Sequence, residues 1–375
     1  MRHKILGLVI STVVIASFVA IGCAPEAAAP PTPEEQEPPP EEEEEEAPPA
    51  APEAEVVEWR MVTPGTAGTH WYYGHVPFAD RVSEMTGGKF KIKVHPGGEL
   101  FPIGATLDNV GAGAAEMAAS FGEYYSGIEP AWRVVSYVTG NPLMYDEQQV
   151  YYHDSRVVKI IDDMHGAANC HYICHYWMPI ETFMSKVPIR TLDDFKGVSV
   201  RASGASAALL KALGAQPVSM PSTEIYTAFQ TGTIQAGEYS DFLVNWEAGI
   251  HEVTDYIIEP ALHHCRVTDG GGEYMVNRDA WDALPDEYKA ILEAACEENA
   301  TNYLVSTMPK TAEAKQKMID YGLEVITLPD EDVHEAYVLA QTTAWTWLEE
   351  QSDLAGELME ILYEYIELFG YEVAD

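Results

Sequence analysis

The sequence predicts an α/β fold of two lobes, with a ligand cleft between them and a helical C-terminal region. Three observations carry this. Strand-like and helix-like segments alternate from Val56 onward, the pattern of strand–helix–strand units. These units fall into two clusters, with passages between them near Tyr176 and Arg266. From Pro285 the spacing is mostly helical, with one strand at Leu323 to Leu328. Ligands of open α/β sheets bind beyond the carboxyl ends of the strands, so two such clusters place a site between them.

The chain opens on an export signal. Arg2 and Lys4 supply positive charge, Ile5 to Gly22 is apolar, and the run ends in small residues. Ala20-Ile21-Gly22-Cys23 resembles a bacterial lipobox, in which the cysteine is lipidated and becomes the first residue. An uncleaved membrane anchor is the competing reading of the same stretch. Residues 23–55 form a tether: after Cys23 it holds only Ala, Pro, Glu, Thr and Gln. Such a segment cannot bury enough apolar surface to offset its ordering entropy. Its prolines and the repelling run Glu41 to Glu46 extend it, so it works as a spacer from a membrane.

The body begins with an alternating strand, Val56 to Val62. Trp71 to Met85 has helical spacing, with Tyr72, Val76, Ala79 and Val82 on one face, and Thr86-Gly87-Gly88 ends it. Phe90 to Val94 alternates as a strand, Leu107 to Ala114 as a short helix, Glu116 to Phe121 as a strand. Asp146 to His165 reads as a helix and Cys170 to Trp177 as a strand. Then follow a strand at Val198 to Arg201, a helix from Ala205 to Leu213 closed by Gly214, and a strand at Ala215 to Met220. A helix at Ser222 to Thr231 and strands at Ile234 to Glu238 and Tyr274 to Asn277 complete the alternation, which implies parallel sheets. One lobe is expected from residues 56–178 with about 267–306. The other takes residues 179–266 with about 307–375, including the C-terminal helices.

Composition narrows the function. The formal charge is −39, and the body stays strongly acidic without the tether glutamates. That surface repels phosphate backbones and excludes nucleic acid as a partner. Cys170-His171-Tyr172-Ile173-Cys174-His175 does not fit covalent haem, because three residues separate the cysteines. Strand alternation should place Cys170 and Cys174 on one face and His171 and His175 on the other, so zinc is not expected even with His263, His264 and Cys265 in the chain. Gly270-Gly271-Gly272 precedes a strand and opens no helix, so it is no nucleotide loop. Neither a serine nucleophile elbow nor a metalloprotease helix is found, which argues against an enzyme. An exported hydrolase and a ligand-sensing subunit remain as remote alternatives.

Thr191-Leu192-Asp193-Asp194-Phe195-Lys196-Gly197-Val198-Ser199-Val200-Arg201-Ala202 resembles the signature region of TRAP (tripartite ATP-independent periplasmic) transporter solute-binding proteins, the DctP-like family. The resemblance continues through Leu209 to Pro221, Glu224 to Gly232 and Trp281 to Pro285. Upstream it includes Pro96 to Leu100 and Ser185 to Ile189. It implies a periplasmic-binding-protein-like fold, an extracytoplasmic location and membrane permease subunits as partners. It also implies that Arg201 pairs with the carboxylate of a small organic acid. A guanidinium at a strand carboxyl end suits this, because it can donate two parallel hydrogen bonds to a carboxylate.

Two positions depart from the common pattern. Tyr239 stands where many members have Asn, and Glu181 lies where acidic-sugar binders carry a second Arg. Glu238 followed by Tyr239 resembles instead the branch that binds 2-oxo and 2-hydroxy acids. There the resemblance implies a bridging calcium or sodium ion, held here by Glu181 and Glu238. Two carboxylates in one cleft repel unless a cation or proton lies between them, and oxygen ligands suit a hard ion. The alternative is a zwitterionic solute, an ectoine-like osmolyte or an amino acid, with its ammonium group at the glutamates. Trp71, Tyr124, Trp177, Tyr239 and Phe242 are expected to wall the cleft.

Overall fold

The computed structural model describes residues 56–262 and 268–374. The expected leader, tether and lipidated Cys23 lie outside the described residues, as do His263, His264, Cys265 and Arg266.

Strand β1 (Val57–Val62) leads through α1 (His70–Tyr73) and α2 (Val76–Met85) to β2 (Phe90–His95), and α3 (Thr106–Gly111) leads to β3 (Met117–Ser120). Helices α4 (Trp132–Ser136), α5 (Tyr145–Tyr152) and α6 (Ser155–Gly166) precede β4 (Cys170–Pro179). The chain then crosses to a second sheet with β5 (Phe183–Ser185), β6 (Ser199–Arg201), α7 (Gly204–Ala212) and β7 (Gln216–Val218). It continues there with α8 (Ile225–Thr231), β8 (Ala236–Glu238), α9 (Phe242–Glu247) and β9 (Tyr256–Glu259). Strand β10 (Thr268–Asn277) returns to the first sheet, followed by α10 (Arg278–Asp282) and α11 (Asp286–Tyr321). Last come β11 (Glu324–Thr327), α12 (Asp330–Leu339), α13 (Thr346–Glu349) and α14 (Asp353–Leu368).

The first sheet has the order β2-β1-β3-β10-β4 and the second β11-β9-β5-β8-β6-β7. Each is mixed, which corrects the expectation of parallel sheets. Strand β10 runs antiparallel to β3 and β4, and β5 antiparallel to β8 and β9. These are the strands by which the chain changes sheet. Only Ile180 to Thr182 separate β4 of the first sheet from β5 of the second.

Amphipathic pattern decides most elements. In β2, Phe90 and Ile92 are buried while Lys91 and Lys93 face water. Helix α6 buries Val157, Ile160, Ile161 and Met164, and its Asp154 cap accepts from Arg156 N. That cap also breaks the single helix expected over residues 146–165. The helix expected over residues 71–85 is likewise broken, at Gly74 and His75, with Pro77 in the first turn of α2.

The C-terminal region departs from the expected boundary. Helix α14 packs against α4, α5 and α6, on the first-sheet side. Tyr151 donates its hydroxyl to Leu358 O at 3.2 Å, and Arg156 pairs with Glu364 at 2.8 Å. Helix α11 has 36 residues, about 54 Å at 1.5 Å per residue, and touches both sheets' surroundings. Near its start Cys296 forms a disulfide with Cys174 of β4. Further along, Thr311 donates to Asp241 and Lys315 pairs with Glu259.

A bulge in β4 corrects one geometric expectation. Tyr274 pairs with Cys174 and the next residue, Met275, with Tyr172, so Ile173 is an extra residue in the strand. The side-chain alternation slips there. Cys170 therefore turns to Leu107 O of α3, while Cys174 bonds to α11. The two cysteines do not share a face.

Candidate functional site

The carboxyl ends of β3, β6 and β8 converge on one cavity. From the first-sheet side come Trp71, Phe121, Glu123, Tyr124, Ser136 and Tyr137. From the second come Arg201, Ser203, Ser222 and Tyr239, with Glu181 from the β4–β5 passage. The cavity is small, about 60 Å³. It opens towards a wider groove of about 910 Å³ that shares Glu123, Tyr124, Arg201, Ser203 and Ser222. Ring contacts build its aromatic wall: Trp71 lies 5.1 Å from Phe121 and 5.5 Å from Tyr239, centroid to centroid.

Arg201 is the last residue of β6 and pairs in register with Gly237 of β8. A side chain at Gly237 would approach Arg201 Cβ to 2.9 Å, so only glycine lets the two strands carry the arginine there. Arg201 Nη1 donates to Glu238 O at 3.3 Å and lies 3.6 Å from Glu238 Oε1. Its Nε is buried without a hydrogen-bond partner among the described residues. Burial opposes the guanidinium charge, but Glu238 and then Glu181 more than offset it, and the pKa stands above its ordinary value. The cavity therefore holds a fixed cation with donor capacity left over, which is what a carboxylate binds.

Glu238 stands behind that arginine. Its Oε1 accepts from Ser203 N at 3.1 Å and Ser206 Oγ at 3.0 Å. Glu181 lines the cavity itself. Among the described residues no group of three His, Cys, Asp or Glu side chains is arranged to hold a metal ion. The donors at the cavity are oxygens, which fit a hard cation in kind, with further oxygens supplied by a bound solute.

Trp71, Tyr124, Glu181, Arg201 and Tyr239 thus line the cavity, while two expected wall residues do not. Trp177 packs against Tyr145, Tyr152 and His175. The slipped alternation of β4 turns it to the α5 side. Phe242 begins α9 and faces Lys315, 5.5 Å above its ring. Glu123 and Tyr137 were not foreseen. Glu123 follows β3, so the rule of strand carboxyl ends could have found it, whereas Tyr137 had no signal. Burial raises the Glu123 carboxyl to about 7 against the pull of Arg133, whose Nε lies 3.9 Å away.

The sequence pattern of bacterial extracellular solute-binding proteins, family 7 (DctP), matches residues 61–349. The chain belongs to that family. This family 7 receptor is 29% identical over 297 residues to a monocarboxylate 2-oxoacid-binding periplasmic protein of Nostoc sp., covering 75% of this chain and 76% of the relative. It is 28% identical over 262 residues to the 2,3-diketo-L-gulonate-binding periplasmic protein of Escherichia coli, covering 67% and 75%. Its fold matches a TRAP transporter solute-binding protein of Bordetella bronchiseptica, with copurified calcium and picolinate, at a TM-score of 0.75 and 26% identity over 84% of this chain and 93% of that one. The family 7 receptor is accordingly a TRAP-type extracytoplasmic solute receptor and not an enzyme.

Proposed function

We propose that this receptor binds a small monocarboxylate, a 2-oxo or 2-hydroxy acid, in the cavity at Arg201. The observation that carries this is the buried guanidinium whose Nε has no hydrogen-bond partner among the described residues, at a cavity of about 60 Å³ with aromatic walls. Arg201 takes the carboxylate, Trp71, Tyr124 and Tyr239 enclose the body of the solute, and Glu238 holds the arginine in place. A calcium or sodium ion at Glu181 and Glu238 would neutralise the glutamates and accept the oxo or hydroxy oxygen as a neutral donor. The two lobes, built around the two sheets, close over the solute and present it to membrane permease subunits. Cys23 anchors the receptor by lipid, and residues 24–55 hold it off the membrane.

Native mass spectrometry of receptor purified without refolding is the direct test. A retained small carboxylic acid is the expected result. A retained amine or zwitterion would move the reading to an ammonium group at Glu181.

A further inference from the structure

Glu123 is among the residues shared by the small cavity and the wider groove, and two arginines line that groove. Arg201 is the first. The second is Arg133 of α4, whose Nη1 donates to Ser126 O at 3.3 Å and whose guanidinium lies 5.4 Å above the Trp347 ring. Arg133 Nε is buried, lies 3.9 Å from Glu123 Oε1, and makes no hydrogen bond among the described residues. Glu123 is the carboxylate that occupies it.

The position of Glu123 is fixed from several sides. Its backbone N donates to Ser136 Oγ at 2.6 Å. The preceding Gly122 is packed so closely that a Cβ would lie 2.8 Å from the Trp132 ring. Across the cleft, Gly204 has φ +50°, and a Cβ there would meet the two Glu123 carboxylate oxygens at 3.1 and 3.3 Å. The carboxylate therefore fills the gap between α4 and the start of α7, where a solute held by Arg201 would extend into the groove.

We propose that Glu123 is a specificity-determining residue that rejects a second carboxylate on the solute. It does so by repelling a negative far end and by already occupying Arg133, the guanidinium that would otherwise receive one. The solute class is then an acid with one carboxylate and a far end that is neutral or cationic. This rests on the carboxylate reading of Arg201.

The test is calorimetric titration of the full chain and its Glu123→Gln variant with pyruvate and with malonate at a pH about one and a half units above the Glu123 value of about 7, where the carboxylate is charged. Glutamine keeps the shape and removes the charge. The wild type is expected to bind pyruvate more tightly than malonate, and Glu123→Gln to shift that preference towards malonate by at least about fivefold. Adding Arg133→Gln should abolish the gain, because no second guanidinium then remains. If Glu123→Gln fails to fold, Glu123→Ser is read in the same way. A smaller shift with pyruvate still bound overturns the role of Glu123 alone. So does a malonate gain that survives the loss of Arg133. A wild type that binds neither acid overturns the carboxylate reading and this inference together.

Discussion

Replacing Arg201 by alanine should cost this receptor its acid ligand and leave its fold intact. A bidentate carboxylate contact supplies two charge-assisted hydrogen bonds, each about 1.5–3 kcal/mol when one partner is removed. The loss is then about 3–6 kcal/mol, or about two to four orders of magnitude in Kd. The fold is spared because Glu238 keeps its donors: Ser203 N and Ser206 Oγ bond the same oxygen without the arginine. Arg201→Lys should recover part of the affinity, since charge is restored but the planar fork is not. Tryptophan fluorescence is a suitable readout because Trp71 lines the cavity. Calorimetry gives the affinity, and circular dichroism confirms folding. A folded Arg201→Ala protein that binds within about threefold of wild type would refute the reasoning, because no bidentate contact is worth so little.

Acid binding should weaken as pH rises through about 7, where the buried Glu123 carboxyl loses its proton. The sign follows from the raised pKa: the group is neutral below that pH and adds a negative charge beside the solute above it. Arg133 from α4, Arg201 from β6 and Glu238 from β8 face it. The pH profile of Kd is the measurement, and Glu123→Gln should flatten it. Thorough removal of calcium and sodium should weaken binding of a 2-oxo acid by about tenfold or more if Glu181 and Glu238 share a bridging ion. Unchanged affinity after chelation and dialysis would remove the ion.

The sequence made Arg201 visible because position and chemistry coincide. A glycine turn at Gly197 and a short strand end on it, inside a specific motif. Glu123 had only its place after β3 to mark it, in a chain with 60 acidic residues. What made it a site residue is burial against α4 and α7, a long-range property. Sheet membership was hidden for the same reason. The three residues of β5 are too few to show a period. The glycine run expected to precede a strand lies inside β10 instead, and its cause is in the tertiary structure. A Cβ on Gly271 would lie 1.8 Å from Tyr176 O, and one on Gly272 would lie 2.1 Å from Ser120 O. Strand β10 is wedged between β3 and β4, and only glycine allows that approach. Density of aromatic residues near the cleft says nothing of direction, and one extra residue in β4 leaves Trp177 on the α5 side.

The Cys174–Cys296 bond divides the molecule in a way the two sheets alone do not. The 122 residues of separation enclose β5 to β9, nearly the whole second sheet, as a covalent loop whose neck lies in the first. Closing a loop of that length removes on the order of 4–5 kcal/mol of freedom from the unfolded chain in the entropy account. The neck is covalently fixed where β4 meets α11, whereas Ile180 to Thr182 and the α11 turns around Pro309 carry no such bond. Such a bond persists in oxidising surroundings and is rare in the cytosol. A copy retained inside the cell would keep both thiols, and its neck would be held by packing alone.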